Sequence, residues 1–201
     1  MVPIKPNLLI VDDEPAIRNS LTEVFLRLEY IVRAASDGFS ALSEIRNQVP
    51  DVLLSDMTMP GMSGFELLSV VRRLFPTIHV IAMSGLFTGN GSQPGIAADG
   101  FHEKATSVPH LLKLVEASQH EDRSSILVRR NSADPVWVPK NGHNSAGIEF
   151  ITLTCPDCLR TFPESINYGQ DRICQAKCIH CSNVLPYALV PPTGETLSMY
   201  F

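Results

Sequence analysis

The chain has 201 residues, of which 44% are apolar and 18% charged, with a formal net charge of −5; it holds one large folded domain or two small ones. Nine basic against thirteen acidic residues up to position 120, and seven against eight beyond it, exclude tracking of a phosphate backbone by charge alone. The amino-terminal MVPIKPNLLIV carries one Lys and a four-residue apolar run, LLIV, ended by two aspartates, too short for a signal peptide or a membrane span, so a cytoplasmic location and no membrane partner are expected.

Short apolar runs recur at NLLIV (7 to 11), YIVRAA (30 to 35), DVLLSD (51 to 56), IHVIAMS (78 to 84) and GFHEK (100 to 104). Such runs, spaced by helix-length segments, predict a parallel sheet covered on both faces. After the first run, Pro15 suits an early helix position, and Ile17, Leu21, Val24, Phe25 and Leu28 trace one helical face. Ser36-Asp37 caps a shorter helix carrying Ala41, Leu42 and Ile45. Ser63 with Glu66 spells a capping box ahead of Leu67, Leu68, Val71 and Leu74. Pro109 and Leu111, Leu112, Leu114 and Val115 supply the last helix. Between the fourth and fifth runs, LFTGNGSQPGIAADG (86 to 100) holds four glycines and a Pro. Each Gly costs about 1 kcal/mol against Ala in a helix, so a loop is expected there, with at most a short helical turn near Ile96 to Asp99.

In an open parallel α/β sheet the site lies beyond the carboxyl ends of the strands. Asp12 and Asp13 end the first run, Asp56 the third, Ser84 the fourth and Lys104 the fifth. Three carboxylates and one ammonium sum to −2, a repulsive set that a divalent cation would relieve. Mg²⁺ suits it, because that ion takes a few carboxylate oxygens and keeps several waters.

Asp12-Asp13, Asp56 in SDMTMPGMSG, Ser84 in IAMSG and Lys104 in HEKA resemble the receiver domain of two-component response regulators over about residues 5 to 120. The resemblance implies a flavodoxin-like, doubly wound, five-stranded parallel α/β sheet. It makes Asp56 the phosphoacceptor served by a sensor histidine kinase. Asp13 and Asp56 would ligate Mg²⁺ with the main-chain carbonyl of Thr58, and Asp12 would hold the ion partly through water. Lys104 would pair with the acyl phosphate and Ser84 would donate to a phosphate oxygen. Ser84 and Phe101 would form the switch, Phe101 standing where Tyr is commoner.

Three departures from the pattern carry expectations. Ala105 replaces the Pro that usually follows the Lys, so a trans bond is expected. Leu86 and Thr58 flank the approach of hydrolytic water, and an apolar Leu86 predicts a long-lived phosphoryl group. The Gly-rich segment takes the place of the fourth helix, part of the face through which many receivers dimerise, so the standard dimer is not expected.

From 121 to 147 the composition turns to Ser, Asn, Asp, Gly and Pro, a linker whose apolar islands SILV and VWV can lay a strand or two on a neighbour. All five cysteines follow, within 155 to 181. Cys155-x2-Cys158 and Cys178-x2-Cys181 are two knuckles that bring four thiolates into the tetrahedron Zn²⁺ accepts in closed sites. The segment 148 to 192 resembles a zinc ribbon, a small β unit with strands at FITLT, near RICQA and near VLPYALV, followed by a tail from 193 to 201. Iron in a rubredoxin-like site and a redox dithiol are the alternatives. Leu159 and Ser182 stand where Gly often follows each CxxC, which predicts a strained knuckle. Cys174 reads as a core residue on a strand and His180 as exposed.

The whole reads as a receiver (1–120), a linker (121–147) and a zinc-ribbon-like unit (148–192), with Mg²⁺ and Zn²⁺ as cofactors. Its output would be contact between the ribbon and a downstream protein. The alternative is a DNA-binding transcriptional regulator with the ribbon as output, disfavoured by the charge balance. No Ser/His/Asp or Cys/His set stands outside the metal site, so no enzymatic turnover is expected.

Overall fold

The computed structural model describes residues 5–85, 97–104, 106–120, 135–140, 142–143, 149–166 and 173–190. Five strands, β1 (Asn7–Val11), β2 (Ile31–Ala35), β3 (Val52–Asp56), β4 (His79–Ser84) and β5 (Gly100–Glu103), form one sheet in the order β2-β1-β3-β4-β5. Every pairing is parallel. Successive side chains alternate between faces. Leu9, Val11, Leu53 and Ala82 therefore enter one core cluster and Leu8, Ile10, Leu54 and Ile81 the other.

Helices α1 (Pro15–Arg27) and α4 (Val108–Ala117) cover the second cluster through Phe25, Leu111 and Val115. Helices α2 (Gly38–Asn47) and α3 (Gly64–Leu74) cover the first through Ala41, Leu42, Ile45, Leu67, Leu68 and Val71. Pro15 occupies the first turn of α1, and Asp37 caps α2 by accepting the Ser40 N–H at 2.9 Å. The capping box expected on α3 forms only in half. Ser63 Oγ accepts the Glu66 N–H at 3.3 Å, but the Glu66 carboxylate turns outward to Thr154. Of the Gly-rich segment, residues 86–96 lie outside the described residues; Ala97 and Ala98 carry no helix. Ala105 and Leu86 are also outside them.

Among the described residues, six further strands build the carboxyl-terminal part: β6 (Val136–Val138), β7 (Gly142–His143), β8 (Glu149–Thr154), β9 (Thr161–Ser165), β10 (Cys174–Lys177) and β11 (Val184–Leu189). They form two three-stranded sheets, β10-β11-β6 and β7-β8-β9. The VWV island in the expected linker is β6, which pairs in parallel with β11 and lies against α3. Val136, Val138, Ile151, Leu153, Phe162, Leu185 and Tyr187 make a small core of their own. Among the described residues no helix is long and apolar enough to cross a membrane.

Candidate functional site

The sheet order places the carboxyl ends of β1 and β3 side by side, and β5 brings Lys104 round to meet them. Asp12 and Asp56 are buried and Asp13 is half-buried, and one carboxylate oxygen from each lies within 4.8 Å of the others. Lys104 Nζ stands 3.0 Å from Asp12 Oδ2 and 3.1 Å from Asp56 Oδ2. The backbone holds this arrangement rigidly: Met57 N–H donates to Met83 O at 3.0 Å and Lys104 N–H to Ser84 O at 2.8 Å. Ser84, fully buried at the end of β4, is thereby tied to the lysine that spans the acids. The Thr58 N–H reaches the Asp56 carboxylate, which sets that main chain beside the acids, while Phe101, partly buried, packs against the core cluster under α2 and α3.

The charges explain what the pocket needs. Burial raises the Asp56 pKa above the usual carboxylate range and the Asp12 charge adds to it, against the pull of Lys104 and the Thr58 N–H. Burial works against the charged form of Lys104 too, but Asp12 and Asp56 outweigh it and its pKa rises. One ammonium serves three carboxylates. An all-oxygen donor set with excess negative charge fits a hard divalent cation such as Mg²⁺, with Asp12, Asp13 and Asp56 as the residues to hold it.

Three contributors to the pocket were not legible in the sequence motifs. Glu14 Oε1 approaches Lys104 Nζ to 3.7 Å, and Arg18 donates to the Asp12 carbonyl at 2.6 Å. The third is Gly64. A Cβ there would lie 2.0 Å from the Asp56 carbonyl oxygen and 2.6 Å from Met57 Cα, so only glycine lets α3 start directly on the backbone of Asp56. The glycines of SDMTMPGMSG were the available signal.

The second cluster lies in the carboxyl-terminal part. Cys155, Cys158, Cys178 and Cys181 place their sulfurs within 4.8 Å of one another. Cys155–Cys181 is 3.6 Å and Cys158–Cys178 is 3.7 Å, close to the ~3.8 Å edge of a tetrahedron with 2.3 Å metal–sulfur bonds. The two knuckles repeat one hydrogen-bond pattern. Leu159 N–H donates to Cys155 O and Ser182 N–H to Cys178 O, while Cys155 N–H donates to Arg160 O and Cys178 N–H to Asn183 O. Leu159 and Ser182 sit at φ 56° and 64°, the left-handed region expected to strain a residue other than Gly. Burial pushes the Cys155 thiol up to about 12. At Cys178 burial also acts upward, but the N–H groups of Cys181 and His180 and the neighbouring thiols bring it down to about 6. Four thiolates packed this closely would repel one another, and a cation among them would relieve that repulsion. Cys174 starts β10 outside the cluster, beside the small core, and exposed His180 donates to the Thr161 carbonyl at 3.0 Å.

Comparison with known proteins bears on the first cluster. The chain is 40% identical over 77 residues to Sporulation initiation phosphotransferase F of Bacillus subtilis, covering 38% of this chain and 62% of that protein. It is 28% identical over 155 residues to Response regulator MprA of a Mycobacterium species, covering 76% and 61%. It is 38% identical over 80 residues to the DNA-binding transcriptional regulator NtrC of Proteus hauseri, covering 40% and 17%. The chain thus spans less than two thirds of the length of these relatives. Among solved structures it resembles the response regulator TrrA of Thermotoga maritima bound to Mg²⁺ and beryllofluoride, with a TM-score of 0.52 and 28% identity over 56% of this chain and 97% of that one. It also resembles the chemotaxis protein CheY4 of Vibrio cholerae, with a TM-score of 0.53 and 27% identity over 57% and 98%. The profile of the response regulator receiver domain matches residues 8–116, more than half of the chain, and the protein belongs to that family.

Proposed function

We propose that the protein is a two-component response regulator that accepts a phosphoryl group on Asp56 from a histidine kinase and signals through its four-cysteine unit. A single observation carries this reading: Lys104 spans Asp12 and Asp56 at 3.0 and 3.1 Å in a buried pocket that Asp13 completes. A carboxylate oxygen of Asp56 would form the new P–O bond as the donor's phosphohistidine P–N bond breaks and its imidazole leaves. Asp12, Asp13 and Asp56, with the Thr58 carbonyl, would hold Mg²⁺, which when bound offsets charge on the transferring oxygens. Lys104 would pair with the acyl phosphate, and Ser84 would donate to it. The likeness to TrrA, which has been solved with the histidine kinase ThkA, supports such a partner.

The four-sulfur geometry supports Zn²⁺ in a closed structural site, with no open position for catalysis. The output is then contact with a downstream protein in the cytoplasm, and the phosphorylated surface is the product, not a turned-over substrate. A DNA-binding output is the second reading, favoured by the likeness to NtrC and opposed by seven basic against eight acidic residues beyond 120.

Native mass spectrometry after treatment with acetyl phosphate and Mg²⁺ tests the first reading. One phosphate is expected on the wild type and none on Asp56→Asn; a wild type that takes up none refutes it. One zinc, lost on Cys155→Ser, is expected in the same spectra. A salt-dependent shift of duplex DNA would select the second reading.

A further inference from the structure

An amphipathic helix lying on a sheet normally keeps one stripe in water. Helix α3 does not, because every residue from Gly64 to Arg72 is buried. Its polar stripe, Glu66, Ser69 and Arg72, recurs at every third residue. Arg72 turns to Asp99 at 2.8 Å, whereas the other two meet the carboxyl-terminal unit. Ser69 Oγ accepts the Trp137 N–H at 3.1 Å while donating to Phe65 O at 2.8 Å. The Glu66 carboxylate accepts the Thr154 N–H at 2.5 Å. Trp137, Leu159 and Val190 close the contact by joining the apolar cluster beneath α2 and α3.

Two features mark this contact as built. The Trp137 and Thr154 N–H groups each find an acceptor on α3, and leaving a buried donor unpaired would cost about 1–3 kcal/mol. The two knuckles also differ in a telling way. Both place a residue other than Gly in the left-handed region, where a side chain costs about 1–2 kcal/mol. Ser182 is exposed, but Leu159 packs on the receiver's cluster. The strain at the first knuckle therefore has a docking partner to offset it. Thr154 directly precedes Cys155 and Leu159 directly follows Cys158, so the turn that holds the sulfurs is also the turn that touches α3.

We propose that the first knuckle is a docking element as well as a metal loop: metal bound by the four thiolates presents Thr154 and Leu159 together to α3, and metal loss lifts the unit off that helix. The inference rests on the metal-site reading above. Its consequence is regulatory, since α3 begins at Gly64 on the backbone of Asp56. Metal content would then decide whether the face behind the phosphoacceptor is covered.

The chain's single tryptophan, Trp137, reports the contact directly. In the full chain, a zinc-selective chelator should shift its emission to the red. Hydrogen exchange in α3 should rise at least about tenfold, equivalent to ~1.4 kcal/mol of lost protection, with β1, β3 and β4 unmoved. The paired substitution Glu66→Ala with Leu159→Gly should keep one zinc by native mass spectrometry and yet show the red-shifted emission. Wild-type emission in that variant overturns the inference, and so does loss of its zinc, because the knuckle would then need the helix to form. Zinc bound and removed with no change in emission or exchange overturns the docking alone. A chain that takes up no zinc overturns the metal reading with it.

Discussion

The acidic pocket and the four-sulfur cluster each draw like charges together, and the fold does so in opposite orders. At the acids the scaffold comes first. Strands β1, β3 and β4 are almost wholly buried, each face packs against two helices, and the carboxylates meet because the parallel sheet sends those strand ends to one side. Lys104 supplies one internal cation, and the core tolerates the rest of the repulsion. At the cysteines, among the described residues, two three-stranded sheets and a small core surround the cluster, and burial, backbone dipoles and the thiols themselves act on its ionisation. One site is a product of its fold; on the proposed metal reading, the other helps to make it.

That contrast predicts its largest test. Structural zinc contributes about 10–16 kcal/mol in small zinc-folded peptides, whereas Mg²⁺ should contribute little to a receiver already packed. Stripping zinc, or replacing Cys155 and Cys178 by Ser, should abolish exchange protection in β8 to β11 and leave β1, β3 and β4 protected. Stripping Mg²⁺ should leave both intact. Equal losses from the two treatments would erase the distinction.

Next in size is Gly64→Ala. Its Cβ would collide with the backbone of Asp56 and Met57, atoms that cannot swing aside as a side chain can. Overpacking of this kind costs about 3 kcal/mol or more, read as a lower denaturation midpoint for the receiver. Zinc stoichiometry should not change. A stability within error of the wild type would show that α3 is not seated as tightly as described.

The receiver was legible because its local signals agree. Four of the five apolar runs end on a residue that the pocket uses, and Pro15 and Asp37 mark their helix starts. What the sequence hid is long-range. Ser63-x-x-Glu66 has the spacing of a capping box, but Thr154, 88 residues away, takes the carboxylate. TFPES does not read as a strand because of Pro163, yet β9 lies at the edge of its sheet, where a missing N–H is tolerated. VWV was legible as an island able to lay a strand on a neighbour, but not its partners: it becomes β6 because β11 offers an edge and α3 a surface.

The Glu66 contact joins the two regions, and it carries a pH signature. Burial raises the Glu66 pKa from 4.5 to about 7, against the hydrogen bonds from Thr154. Between those values the folded state binds more protons than the unfolded state, so stability falls as pH rises through the window and is level above it. The difference approaches about 3 kcal/mol at 1.36 kcal/mol per unit. His102, lowered to about 4 by burial and then by His110, acts oppositely between about 4 and its usual value of 6.5. Comparison with Glu66→Gln isolates the glutamate: the variant keeps an acceptor for Thr154 and should gain on the wild type as pH rises from 5 to 7. Parallel stability curves would refute this.

The smallest expected effect separates the two sites by sign. Asp56 is buried, and its pKa lies above the ordinary range because burial and then Asp12 oppose its charge more than Lys104 favours it. Without Mg²⁺, Asp56→Asn removes a disfavoured charge but gives up part of the bond to Lys104. The net should be a gain in stability at pH 7, measured by urea denaturation, and it should disappear when Mg²⁺ stabilises the wild-type acids. Cys178→Ser at the other cluster should destabilise its unit whichever metal is supplied. A stabilising charge removal in the pocket beside a destabilising ligand removal in the knuckle is what a preassembled site and a self-assembling one require. A destabilising Asp56→Asn in the absence of Mg²⁺ would mean that the lysine pair, not the surrounding core, holds the acids together.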